Sequence, residues 1–361
     1  MSKHTYYEEL DAIRLLAAFA VIGIHATSVF TAGHPVAVTV GIILCFAVPV
    51  FIIMSGLSLH LSHRHKAETY WTFVSKRMSK VIVPYILFTL VYFMERYHWD
   101  IPYLLHQMNP VTALLQSLVL GNAASHLYFM IILIQLYLLY PLLKQLTLRC
   151  PVALFVVATL MTVIVLLDGY LRPMGIHLYP RFLEPGIILL FPRWLYYFVL
   201  GMMLATVLPR VLTVTARFAF ITVGLWVLAA IGLLQLSDQY GFLQKETNLP
   251  IMLYATVALI MLFSVSAGLK YLPQKGKSLL RWMASQSFFV YFVHLLLFRH
   301  ILSPLPGWLH YPLFHSDGSI FLYWFLAVGV SFGLAYIMSF IPGCQWLGIV
   351  PARRPFPLTR A

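Results

Sequence analysis

Apolar residues run along this chain in stretches long enough to cross a bilayer, and short polar connections separate them. A membrane-spanning helix needs about 20 predominantly apolar residues. We place ten such spans, near residues 13–30, 38–60, 79–95, 127–143, 151–168, 187–207, 217–236, 250–268, 285–303 and 319–341. The pattern predicts an all-α integral membrane protein of about ten transmembrane helices. Residues 1–361 are expected to form a single transmembrane domain without a soluble domain.

Composition agrees with this class of protein. Hydrophobic residues make up 61% of the chain and charged residues only 10%, which is too few charges for a water-soluble surface. The acidic stretch YYEELD and Arg14 precede the first span, and they do not resemble the short basic start of a cleavable signal peptide. We therefore expect the first span to be retained as a helix.

The net charge of +13 would suit nucleic acid if the cations were clustered, but they sort by loop instead. With the N-terminus inside, most of the 24 Lys and Arg residues fall on the inner side and most acids on the outer side. The positive-inside rule then predicts that both termini and residues 64–80 are cytoplasmic and that residues 168–184 are outside. The expected partner is the lipid bilayer, and no nucleic acid is expected.

Arg14 and His25 are the most informative polar residues, because they interrupt the apolar first span. Eleven residues at about 100° each return to within roughly 20° of the same helix face, and they separate the two side chains by about 16 Å along the axis. Placing an ionisable group at bilayer depth costs roughly a few kcal/mol, so such a group usually faces protein or a water-filled cavity. Two interpretations are open, a core histidine bonded to a neighbouring helix and a catalytic imidazole served by a cation at the membrane edge.

A basic cluster precedes the third span. On a helix, Lys76, Arg77 and Lys80 are spaced so that all three cations share one face despite their repulsion. The cluster is either an ordinary inner anchor that contacts anionic lipid or a phosphate clamp.

Metal binding is not expected from this sequence. His60, His63 and His65 alternate with cations in the run HLSHRHK, which would repel a metal ion, and we interpret the run as a solvated cytoplasmic loop. The three cysteines are scattered and have no metal-ligand or disulfide spacing.

Several segments together resemble one family, the membrane-bound acyltransferase-3 family. In order, they are LDAIRLLAAFAVIGIH, VPVFIIMSGLSL, KRMSKVIVPY, HLYFMIILIQLYLLYPLL, YYFVLGMML and SQSFFVYFVHLLL, and they cover nearly all of residues 6–300. The family's Arg-x10-His motif falls on Arg14 and His25. Its basic Arg-x-x-Arg motif falls on Arg77 and Lys80, where lysine keeps the charge but loses bidentate geometry.

The resemblance implies an integral membrane O-acyltransferase that transfers groups other than aminoacyl groups. Such an enzyme takes an acyl group, usually acetyl, from cytoplasmic acyl-CoA and transfers it to a hydroxyl, often on an extracytoplasmic glycan. Arg14, Lys76, Arg77 and Lys80 would then hold donor phosphates, and a thioester roughly 16 Å deeper would lie near His25. His25 would act either as general base or as nucleophile, and the spacing does not choose between them.

Other polar positions are candidates for the same reaction. Ser287, Tyr291 and His294 form an i, i+4, i+7 stripe in the ninth span, which either lines a site or makes ordinary interhelical hydrogen bonds. We take Tyr291 and His294 as candidate catalytic residues together with His25.

Residues for acceptor binding are expected near the outer side. His126 and Tyr137 repeat the eleven-residue spacing on the fourth helix, and an outer loop carries Asp168, Arg181 and Glu184. His126, Asp168, Arg181 and Glu184 are our candidates for binding a sugar acceptor, although charges of an exposed loop are often simply solvated.

A second functional class is a proton-coupled transporter or flippase for a glycan or small hydroxylated molecule, with buried His and Tyr groups as relay. It lacks an inverted repeat, matched broken helices and mid-helix carboxylates in the sequence. We therefore favour acyl transfer in a bacterial cytoplasmic membrane, with envelope-biosynthesis proteins as possible partners. Nothing in the sequence identifies the acceptor.

Overall fold

The computed structural model describes residues 6–30, 34–97, 109–179, 186–240, 248–304 and 317–351. The chain forms two compact units. The first combines Met1–Leu44 with Tyr271–Ala361, and the second is Cys45–Lys270.

Within the described ranges the fold is helical and contains no strand. The helices are, in chain order, α1 (Glu8–Ser28), α2 (Pro35–Leu44), α3 (Ala47–His63), α4 (Tyr70–Tyr97), α5 (Pro110–Leu120), α6 (Tyr128–Arg149), α7 (Pro151–Leu171), α8 (Leu195–Arg217), α9 (Ala219–Tyr240), α10 (Leu249–Ser266), α11 (Gln274–Leu297) and α12 (Asp317–Met338). Ten helical segments of this described part are long and apolar enough to cross a membrane, which confirms the predicted class. The protein is a multi-pass membrane protein.

In the first unit, α1 packs against α2, α11 and α12. Glu8, Glu9 and Asp11 lie in the first turn of α1, where acidic groups favour the helix dipole. Gly23 allows the close approach of the neighbours, because a Cβ there would lie 2.5 Å from the Leu44 side chain and 2.7 Å from that of Trp324. The Trp324 indole N–H also donates to the Phe19 carbonyl at 2.8 Å. These contacts fix α1 beside α2 and α12.

In the second unit, α3 packs along α8 at very short range. A Cβ at Gly56 would come within 2.2 Å of the Phe198 carbonyl oxygen, and one at Gly201 within 2.0 Å of the Ile53 carbonyl oxygen. Glycine is therefore required on both sides of this crossing, as small residues commonly are where membrane helices meet.

The sixth predicted span began too early in the sequence. We expected a helix over residues 187–207, but α8 begins at Leu195, and residues 186–193 form 3-10 turns instead. The side chain of Gln135 contacts Leu189 O at 2.6 Å and Phe191 N at 3.1 Å, and the Thr162 hydroxyl donates to Pro192 O at 2.7 Å. Non-helical backbone among membrane helices needs such partners, which the apolar pattern does not reveal.

Two other boundaries differ from the prediction in ways that affect the candidate residues. The expected span 38–60 is divided into α2 and α3 by Cys45 and Phe46. The helix α4 begins at Tyr70, so the basic cluster lies within its first three turns rather than immediately before it.

Candidate active site

His25 and His294 come together in the first unit. His25 lies in the last turn of α1 and His294 in the last turn of α11, and their ring centroids are 5.0 Å apart at an angle of 45°. His294 is only 1% exposed, and His25 is half-buried. The structure thus joins two residues that the sequence indicated separately as catalytic candidates.

The main-chain carbonyl of Tyr291 fixes the tautomer of His294. The distance from Nδ1 of His294 to this carbonyl oxygen is 2.7 Å, and a carbonyl can only accept, so Nδ1 carries the hydrogen. In the neutral ring the lone pair is then on Nε2, which can only accept a hydrogen bond. Tyr291, whose side chain is buried, therefore acts on His294 at least through its backbone.

A row of aromatic rings leads away from His294, and the sequence did not single it out. Phe298 lies 6.1 Å from the His294 ring at 83°, and Tyr323 stacks on Phe298 at 5.3 Å. Phe30 contacts Tyr323 from the end of α1. Phe298 opens the π-helical turn Phe298–Leu302 that extends α11, and such turns are frequent at functional sites.

The stripe on α11 is buried. Ser287 is 3% exposed, and its hydroxyl donates to the Ala284 carbonyl of the same helix at 2.8 Å. The Ser287 hydroxyl is thus satisfied within its own helix, so His294 is the residue of the stripe that is considered for the reaction.

Arg14 lies at the other end of α1 and forms an ion pair with Asp11 at 3.0 Å. The Tyr6 hydroxyl donates in turn to the other carboxylate oxygen of Asp11, and partial burial together with this bond raises the pKa of Tyr6. About a third of the Arg14 side chain, 32%, is exposed. Because α1 is unbroken between the two positions, Arg14 and His25 are about 16 Å apart along its axis.

The basic cluster of the second unit is divided between one anchored and two exposed side chains. Lys76 and Lys80 are exposed, and Lys76 has Glu68 3.9 Å away. Arg77 is half-buried, and its Nη2 lies 3.3 Å from Nδ1 and 3.4 Å from Nε2 of His63. His63 therefore holds the Arg77 guanidinium in place through its ring nitrogens.

The interpretation of HLSHRHK as a solvated loop is wrong for its first half. His60 and His63 lie in the last turn of α3, and His60 is 0% exposed. Only His65 and Lys66 are exposed, as expected. The interleaved cations suggested solvent, but α3 continues through His63, and the i, i+3 spacing places His60 and His63 on one face of that helix. Arg64, which follows the helix, is half-buried as well and donates to the Ala205 carbonyl at 3.1 Å.

His126 is not on the fourth helix with Tyr137. It lies in the turn that precedes α6, which begins at Tyr128, so the predicted eleven-residue helical face does not exist. His126 is nevertheless buried, and its ring is 5.3 Å from that of Tyr92.

Asp168 lies at the end of α7 and is 0% exposed. It accepts hydrogen bonds from Arg172 and, at 2.6 Å, from the main-chain N–H of Leu178. The Arg172 guanidinium also lies 4.9 Å from the Tyr179 ring. Asp168 thus shapes the following loop from within. The two other loop candidates, Arg181 and Glu184, lie outside the described residues.

Comparison with known proteins gives one match. The model of the acyltransferase-3 family, described as an acyltransferase domain, matches residues 7–340 and so spans both units. No curated protein and no solved structure matches the chain.

Proposed function

The chain belongs to the acyltransferase-3 family, and on that premise we propose that it transfers an acetyl group from cytoplasmic acetyl-CoA to a hydroxyl of a cell-envelope glycan. The observation that carries this proposal is the pair of His25 and His294, 5.0 Å apart. Acyl transfer to a hydroxyl needs a group that takes the hydroxyl proton, and histidine is the side chain most often used for this.

In the proposed reaction His25 is the general base. We propose that in the reacting complex one nitrogen of His25 turns to donate to Nε2 of His294, which can only accept because Nδ1 carries the hydrogen. The lone pair of the second His25 nitrogen is then left for the acceptor hydroxyl. His294 is then a positioning residue that fixes the tautomer of His25.

The transfer step balances without any metal. The acceptor oxygen attacks the thioester carbonyl carbon as its proton passes to His25, a C–O bond forms, and the C–S bond breaks. The sulfur leaves as thiolate and takes the proton from His25, which regenerates the neutral imidazole. The products are the O-acetyl ester and the free thiol of CoA.

The donor's phosphates are the ligands that we propose for the cations. Arg77, held against His63, offers a directed guanidinium, whereas exposed Lys76 and Lys80 add charge. Arg14 pairs with the Asp11 carboxylate, and its guanidinium is partly exposed. The exposed part of the guanidinium also suits a phosphate. For the acceptor we keep His126, Asp168, Arg181 and Glu184, with Asp168 acting through the loop that it holds.

Labelled acetyl-CoA supplied to membranes tests the proposal. Wild-type membranes should transfer label to the envelope fraction, and His25→Gln should not, because glutamine keeps a hydrogen bond but takes no proton at neutral pH. The matched control is His65→Gln, which replaces an exposed histidine and should leave transfer unchanged.

Three results would contradict parts of this proposal. Near-normal transfer by His25→Gln would make His25 structural. An acetyl group trapped on His25 after acid quenching would make it the nucleophile instead of the base. Wild-type membranes that show proton-coupled solute uptake and no acetyl transfer would support the transporter function.

A further inference from the structure

His60 is a buried polar residue that the proposed chemistry does not use. It is 0% exposed, and within the described part of the chain neither of its ring nitrogens has a hydrogen-bond partner. Leaving buried polar atoms unpaired costs their full desolvation, so such a group usually marks a ligand or water site.

A series of ring contacts connects His60 with the residue that holds Arg77. The ring of Tyr140 is 6.3 Å from that of His60, and Phe73 links Tyr140 at 5.1 Å to His63 at 5.5 Å. The Arg77 guanidinium lies within hydrogen-bond distance of the His63 ring nitrogens. His60 precedes His63 by about one turn of α3, roughly 4.5 Å along the axis, and lies on the same side of the helix.

Exposure changes along this series of contacts. Arg77 and His63 are half-buried, whereas Tyr140 is 1% exposed and His60 is fully buried. A ligand held at Arg77 would have one end at a half-buried cation, and any part of it that reached further inwards would meet the buried ring of Tyr140 and then His60. Its charged end belongs at Arg77 and an uncharged, thin, polar segment at His60.

We infer that His60 and Tyr140 bind the amide-bearing pantetheine arm of acyl-CoA, while Arg77 binds its phosphates. This inference rests on the proposed donor. A neutral imidazole has one donor and one acceptor, and an amide of the arm offers one acceptor and one donor. The Tyr140 hydroxyl is 3.5 Å from the Leu59 carbonyl oxygen, at the limit of a hydrogen bond, and so it can turn to a better partner. In CoA only a short branched carbon chain separates the diphosphate from the first amide, so a donor whose phosphates bind Arg77 presents an amide close to them.

Two probes separate the arm from the phosphates. Acetyl-CoA has both, and adenosine 3′,5′-bisphosphate has phosphates without the arm. We would measure the Kd of each for the purified full chain in detergent. His60→Leu should weaken acetyl-CoA binding roughly three- to tenfold and leave the bisphosphate within about twofold. Arg77→Gln should weaken both probes.

Two further variants keep the test decisive. Tyr140→Phe removes one hydroxyl oxygen and should weaken acetyl-CoA alone, even if His60→Leu fails to fold. His60→Gln restores a donor and an acceptor and should bind nearly as the wild type does. His65→Leu, at an exposed histidine of the same run, is the control and should change neither Kd.

The outcomes distinguish this inference from the proposed function. Wild-type protein that fails to bind acetyl-CoA would overturn both. If the wild type binds but His60→Leu and Tyr140→Phe bind acetyl-CoA equally well, only an ordered water satisfies His60 and the arm site is wrong. Equal weakening of both probes by these variants would show a structural role and would also overturn it.

Discussion

The histidine pair predicts strongly non-additive kinetics. If His294 acts only by orienting His25, a variant that lacks His25 has nothing left for His294 to orient. We therefore expect the double variant of His25→Gln and His294→Asn to be no slower than His25→Gln alone. Asparagine at position 294 keeps a donor where Nδ1 meets the Tyr291 carbonyl and removes only the Nε2 acceptor.

The expected magnitudes follow from the roles of the two rings. Loss of the general base should lower kcat roughly 10²- to 10⁴-fold. Loss of the His294 acceptor removes one hydrogen bond to a ring that gains charge in the transition state, worth about 1.5–3 kcal/mol, or roughly 10- to 150-fold in kcat. The coupling energy between the two sites should equal that second value, because the double variant loses nothing beyond the first.

The assay is acetyl transfer to the envelope fraction at saturating acetyl-CoA, with the KM for acetyl-CoA measured alongside and expected to stay constant. Ser287→Ala is the matched control on α11, since its buried hydroxyl bonds only the carbonyl of Ala284 among the described residues, and its kcat should stay within about twofold. If the fold losses in kcat of the two single variants multiply in the double variant, the two rings act independently, and the orienting role of His294 is refuted.

Three other predictions concern the donor site, the topology and the helix packing. Arg77→Gln should raise the KM for acetyl-CoA roughly tenfold or more with little change in kcat, and an unchanged KM would leave the cluster as a lipid anchor. A cysteine at the exposed Met174, in a background without the native cysteines, should react with an impermeant reagent in intact cells, whereas labelling only after permeabilisation would reverse the proposed orientation. Gly201→Val should destabilise the protein by about 3 kcal/mol, seen as a lower Tm in detergent, because its Cβ would meet the Ile53 carbonyl. Gly224 has open space around it, so Gly224→Ala should change the Tm little, and equal Tm values for the two variants would contradict the tight crossing.

The length of the apolar stretches predicted the class of fold, because bilayer thickness fixes the length of a span. It was weakest where polar side chains satisfy an irregular backbone. Residues 186–193 are apolar enough to resemble a helix, but Gln135 and Thr162 supply partners that allow 3-10 turns there. Such partners come from distant helices, and a window of sequence does not contain them.

Charge patterns, from which the sidedness was predicted, were misleading about individual residues. The cations around His60 and His63 suggested a solvated loop, although the helix turns both histidines inward. Asp168 was considered as an exposed loop charge, yet it is buried and holds Arg172 and Leu178. In both cases the side chain's direction, set by the helix, decided its environment, and the identity of its neighbours in sequence did not.

The meeting of His25 with His294 shows where spacing arguments reach their end. Helical geometry put Arg14 and His25 on one face of α1 and Ser287, Tyr291 and His294 on one face of α11, but each statement concerns a single helix. Which faces meet depends on how all the helices of the unit pack, and Gly23 contributes by letting α1 approach the side chains of Leu44 on α2 and Trp324 on α12. A glycine needed for close packing carries no polar group, so a search for polar residues does not find it.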